Sequence, residues 1–109
     1  MSNELTGKVI GAAIEVHRTL GPALLEGICE QALFLELGLQ GLHSERQVAV
    51  DVFYKGHVLG GQRLDLLVED EVIVEVKSVT KLPEVATTQV LSYLKATGLR
   101  RGLLINFGA

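Results

Sequence analysis

The stretch RLDLLVEDEVIVEVKS, Arg63 to Ser78, sets two aliphatic runs on either side of an acidic turn and so constrains how the chain can fold. A two-residue turn at Asp70-Glu71 would place Leu66 opposite Glu75 and Leu64 opposite Lys77, mixing charge with aliphatics on one face. A three-residue loop, Glu69-Asp70-Glu71, pairs Val68 with Val72, Leu66 with Val74 and Leu64 with Val76, and that face becomes wholly aliphatic. Slipping a strand by one residue turns every side chain over, so burial selects the second register. Three-residue hairpin loops are common enough to allow it.

The same register decides the other face. Leu67 falls opposite Ile73, Asp65 opposite Glu75, and Arg63 opposite Lys77. Like charges directly opposed on neighbouring strands are destabilising. Two carboxylates at that distance either share a proton or hold a cation. Lys77 lies two residues beyond Glu75 and projects to the same side of the strand. Oxygen-only ligands favour magnesium or manganese over zinc. Such an ion beside an ammonium suits hydrolysis of a phosphodiester: the ion polarises the phosphate and activates water, and the lysine steadies developing charge. The competing reading makes Asp65, Glu75 and Lys77 solvated residues on an exposed sheet face. Strands built almost purely of Val, Leu and Ile, with Leu67 and Ile73 on the charged face, weigh against it.

Around the hairpin the hydrophobic period identifies the other elements. Asn3 is placed to cap a helix from about Glu4 to Leu20, with Leu5, Val9, Ala13, Val16 and Leu20 on one face. Gly21-Pro22 breaks it. A second helical pattern runs from about Ala23 to Gln40 and carries Leu25, Ile28, Cys29, Ala32, Leu33 and Leu37, with Gly41 as a stop. The period then changes to two: Val48, Val50 and Val52 alternate with Ala49, Asp51 and Phe53, as in a half-buried strand. Lys55-Gly56 turns it, His57 to Leu59 form a return arm, and Gly60-Gly61 separate that arm from the acidic hairpin. Pro83 suits a first helical position in a helix to about Ala96 that ends at Thr97-Gly98, before a last aliphatic strand from Arg101 to Phe107. A hairpin meander followed by a helical crossover makes an α/β domain with a mixed sheet and helices packed on it.

A chain of 109 residues is expected to form one domain. Hydrophobic residues make up 48% and mean hydropathy is +0.34, so surplus apolar surface is expected to close against a second copy in a homodimer. No apolar run reaches the roughly 18–20 residues of a membrane span. The start, with Glu4 early and no basic stretch, does not read as a signal peptide. A single cysteine, Cys29, excludes an internal disulfide and a cysteine-built zinc site, and a cytoplasmic location follows. His17, His43 and His57 are unclustered and lack zinc-like spacing. The net charge of -3 argues against extended nucleic-acid binding by bulk electrostatics.

Asp65 on one strand and Glu75-Val76-Lys77 on the next resemble the active-site signature of the PD-(D/E)XK, or restriction-endonuclease-like, nucleases, with Leu64 standing where the signature has proline. The order helix, three strands, helix, strand over Ala23 to Phe107 matches the core of that superfamily, with an additional helix at the N-terminal side. More narrowly, GKVIGAAIEVHRTLGPALLEGICEQAL, ERQVAVDVFYKG, LDLLVEDEVIVEVKSV and TTQVLSYLKATGLRRGLLINF are similar to the small bacterial GxxExxR proteins. The resemblance implies a magnesium- or manganese-dependent nuclease acting on DNA, or a catalytically silent relative that binds nucleic acid or a partner protein. It implies that Asp65 and Glu75 bind the metal, that the Val76 carbonyl adds a ligand, and that Lys77 is the catalytic lysine. Gln89 and Tyr93 match a Q-x-x-x-Y element of RecB-like members, and their i,i+4 spacing puts both on one helix face; Tyr93 also fits as a half-buried helical aromatic. Glu26, near the start of the second helix, stands where members often place a third acidic ligand, with Glu30 one turn later as the competing candidate.

Overall fold

The computed structural model describes residues 2–108, with side chains from Glu4 to Gly108. Three helices and four strands follow one another as α1 (Ser2–Leu20), α2 (Glu26–Leu39), β1 (Ser44–Tyr54), β2 (His57–Val68), β3 (Val72–Lys77), α3 (Val85–Thr97) and β4 (Arg101–Asn106). The sheet runs β1-β2-β3-β4. Both hairpin pairs are antiparallel, and β4 returns parallel to β3 after the α3 crossover. This is the expected α/β arrangement, an α-β-β-β-α-β core with a further helix before it. Helix α1 begins at Ser2 rather than about Glu4, so Asn3 lies within its first turn and not at the capping position before it.

The acidic hairpin adopts the register that burial selects. Val68 pairs with Val72, Leu67 with Ile73 and Leu66 with Val74. The Glu71 N–H donates to the Val68 carbonyl at 3.0 Å, and Glu69 and Asp70 both take left-handed backbones to close the loop. Leu66, Val68, Val72, Val74 and Val76 are fully buried against α1 and α2, in a core that also takes Val9, Cys29, Leu33 and Leu37. Burying one such aliphatic side chain is worth roughly 1.5–3 kcal/mol, so this face fixes the register. Leu64 corrects the expectation of six residues on that face: it packs with Val50, Ile73 and Tyr93 in a second cluster under α3. The change of side falls where the strand leaves its regular course, next to Asp65.

Several boundaries differ from the sequence pattern, each for a local reason. Helix α2 starts at Glu26 rather than about Ala23, because Gly21 and Ala23 both take positive φ. That shift leaves Leu25 and Ile28 exposed instead of core-facing, and Leu20 is likewise exposed. Helix α3 begins two residues after Pro83, whose carbonyl receives the Ala86 N–H. Gly60 and Gly61 do not end a strand, since β2 runs through them, but they carry its bulge: Val50 and Val52 of β1 pair with Gln62 and Leu59, so the extra residue lies on β2. Gly98 caps α3 with φ 76°, the left-handed conformation its lack of a Cβ permits. Gly102 serves close approach instead, since a Cβ there would sit 2.6 Å from the Val90 Cγ1 atom of α3.

Candidate active site

The antiparallel pairing of β2 and β3 ends at Leu66–Val74, and the two carboxylates take over from it. The Asp65 N–H donates to Glu75 Oε1 at 3.0 Å, while the Val76 N–H donates to Asp65 Oδ2 at 2.8 Å. Each acid is therefore pinned by the backbone of the strand across from it. This reciprocal arrangement explains how two opposed carboxylates are tolerated: each receives a backbone donor, and a carboxylate accepting such a bond is stabilised in its charged form.

The compensation is incomplete. Glu75 is only 2% exposed. Burial pushes its carboxyl up to about 7; the Asp65 N–H and the Lys77 charge oppose this, while the Asp65 and Glu26 charges add to it. Burial also raises Asp65, against the Val76 N–H and Lys77, with the charges of Glu30 and Glu26 pushing the same way as burial. Burial works against the charge of both acids, so the site is short of positive charge.

Lys77 follows Glu75 on the same strand, and its Nζ lies 3.8 Å from Glu26 Oε1. Glu26 is the first residue of α2, where the helix dipole favours an anion. The structure separates the two acidic candidates of this helix. Glu26 is exposed beside Lys77, whereas Glu30 is 5% exposed and already engaged. Arg46 donates to Glu30 Oε2 through Nε at 3.1 Å and pairs with it through Nη2 at 3.0 Å. Gln47 Nε2 donates to the two Glu30 oxygens at 2.9 and 3.1 Å.

From the other face, α3 contributes Gln89 and Tyr93. The Tyr93 hydroxyl donates to the Arg63 carbonyl at 3.0 Å and accepts from the Gln89 amide at 3.0 Å. Tyr93 is buried, and its hydroxyl is raised first by burial and then by the charge of Glu75. The pair thus ties α3 to β2 two residues before Asp65. Sequence reasoning missed Gln47, whose Nε2 also lies 3.4 Å from Asp65 Oδ1. No motif marks it; its place on β1 beside Asp65 emerges only once the strands are paired.

Among the described residues no group of three or more His, Cys, Asp and Glu side chains is arranged to hold a metal ion. What the structure does bring together is a pair of oxygen donors, Glu75 buried and Asp65 half-buried, with too little positive charge around them. That donor chemistry fits a hard divalent cation, whose remaining ligands would be carbonyl or water oxygens. Cys29 packs in the core, as its place among apolar residues suggested. His17 lies beside Phe107, with 6.2 Å between the ring centroids. No helix among the described residues is long and apolar enough to cross a membrane.

No curated protein and no solved structure matches the chain. A family profile does, over residues 3–109. With the two acids and the lysine on adjacent strands of a mixed sheet, and with that match covering nearly its whole length, the chain belongs to the PD-(D/E)XK nuclease superfamily.

Proposed function

We propose that the chain is a magnesium- or manganese-dependent nuclease that hydrolyses phosphodiester bonds in DNA and works as a homodimer. The observation that carries this reading is the reciprocal bonding of Asp65 and Glu75 to each other's strands, with Lys77 two residues further along. Asp65, Glu75 and the Val76 carbonyl would hold the ion, with Glu26 supplying a further carboxylate from α2. When bound, the ion supplies Lewis-acid polarisation of the phosphate and lowers the pKa of a water molecule.

The chain's own residues do the rest. The backbone N–H groups of Asp65 and Val76 fix the two carboxylates before any ligand arrives, so no reorganisation is needed on binding. Lys77 Nζ, held only at 3.8 Å by an exposed partner, can exchange Glu26 for a phosphate oxygen and take up charge as it develops there. Gln89 and Tyr93 set α3 against β2 and so shape the wall beside Asp65. Leu35, Leu39, Phe53 and Tyr54 are large exposed apolar residues, and they support association of two copies.

The test is cleavage of single-stranded, duplex and branched DNA, with matched RNA, in magnesium or manganese. DNA cleavage that disappears in Asp65→Ala is the expected result. Binding without cleavage under every condition would replace this reading with a catalytically silent nucleic-acid-binding relative.

A further inference from the structure

Five non-glycine residues have positive φ among the described residues, and four of them lie in turns or loops: Ala23, Lys55, Glu69 and Asp70. The fifth, Gln47, sits inside strand β1 at φ 53°. A left-handed conformation costs an L-residue roughly 1–2 kcal/mol, and no turn at Gln47 requires it. The strand pairing passes from Arg46–Leu66 to Val48–Leu64, which leaves Gln47 beside Asp65. Its side chain spans two carboxylates. Nε2 reaches Glu30 Oε1 at 2.9 Å, Glu30 Oε2 at 3.1 Å and Asp65 Oδ1 at 3.4 Å. A primary amide carries two hydrogens on that nitrogen, one for each acid. Glu30 in turn is neutralised by Arg46 and is nearly inaccessible to solvent, which makes it a rigid anchor.

We propose that Gln47 is a positioning residue for the carboxylate site: its left-handed backbone aims the amide so that it ties Asp65 to the buried Glu30–Arg46 pair. Asp65 Oδ2 is already held by the Val76 N–H. A second donor on Oδ1 fixes the plane of the carboxylate, and with it the direction of the lone pairs left for a ligand. The inference rests on the proposal that Asp65 and Glu75 hold a divalent ion. Partners that orient a metal ligand in this way typically affect affinity by about 10–100-fold.

Glycine separates the two contributions of this residue, because Gln47→Gly removes the amide while accepting the positive φ without strain. Manganese binding to the whole chain is measured by titration calorimetry, and metal-free melting temperature is measured in parallel. The expected result is manganese binding weakened about tenfold or more in Gln47→Gly, with a metal-free melting temperature equal to or above the parent's. Gln47→Asn, which tolerates the same backbone but is one methylene shorter, should show the same loss. Parent-like manganese binding in Gln47→Gly overturns the proposal, whatever its melting temperature. If the parent itself binds no manganese, the ion reading fails and the tether is judged by the Gln47 side-chain amide resonances in the metal-free protein. A shift of those resonances in Asp65→Asn upholds the tether, and unshifted resonances overturn it.

Discussion

Replacing Glu75 by glutamine should make the metal-free protein more stable, although it removes a central side chain of the site. The carboxyl of Glu75 titrates at about 7 in the folded chain against an ordinary value of 4.5. The folded state therefore keeps a proton that the unfolded state has already released, and stability falls as pH rises from about 4.5 through about 7. At pH 8 the full difference has accrued. At 1.36 kcal/mol per pKa unit, a separation of about 2.5 units corresponds to a penalty of about 3 kcal/mol for ionised Glu75. Glutamine keeps an oxygen for the Asp65 N–H and places its own N–H groups beside the Asp65 carboxylate, while carrying no charge into the buried site. Urea unfolding of parent and Glu75→Gln, from pH 4 to pH 8 without divalent ions, measures the difference. The two should be nearly equal at pH 4 and should diverge with rising pH, the variant gaining up to about 3 kcal/mol by pH 8. A gap that is independent of pH, or a variant less stable than the parent at pH 8, would refute the claim that burial holds Glu75 short of compensating charge.

A divalent ion should supply the compensation that glutamine imitates. Manganese at 100 times its Kd should stabilise the parent by about 2.7 kcal/mol, and the double change Asp65→Asn with Glu75→Gln should abolish that gain in thermal melts. Lys77→Ala should keep the fold and manganese binding while slowing DNA cleavage by about 100-fold or more; unchanged cleavage would assign the chemistry elsewhere. Asp70→Gly should stabilise the protein by about 0.5–1 kcal/mol in denaturant unfolding, because Asp70 takes φ 54° in the hairpin loop and glycine does so without steric cost. Gly102→Ala should cost about 1–3 kcal/mol in the same assay, since its Cβ would meet the stiff side chain of Val90 at 2.6 Å.

How much of this was legible in the sequence depends on whether a contact is governed by periodicity or by three-dimensional accident. The hairpin register is governed by periodicity, because only one pairing buries Leu66, Val68, Val72, Val74 and Val76 together. Asp65 and Glu75 followed from it as neighbours. That they would exchange backbone donors did not follow, because alternation describes a regular ladder and this ladder stops at Leu66–Val74. Leu64 lies just beyond the same break: the period assigns it to one face, and it packs on the other with Val50, Ile73 and Tyr93. The start of α2 escaped for a different reason: Leu24 and Leu25 continue the apolar pattern, yet the positive φ of Ala23 delays the first turn to Glu26. That delay has a consequence for the site. It sets Glu26 at the exposed N-terminus of the helix, 3.8 Å from Lys77, and turns Glu30 one turn later toward Arg46 and Gln47. Two acids that the sequence separated only narrowly, in favour of Glu26, are thereby given different partners. Glu26 is left exposed against Lys77, and Glu30 is locked among donors from β1, from where one of those donors, Gln47, reaches back to Asp65. The helix boundary and the strained strand residue, neither visible as a motif, together give Glu26 an exposed place beside Lys77 and tie Asp65 to the buried Glu30–Arg46 pair.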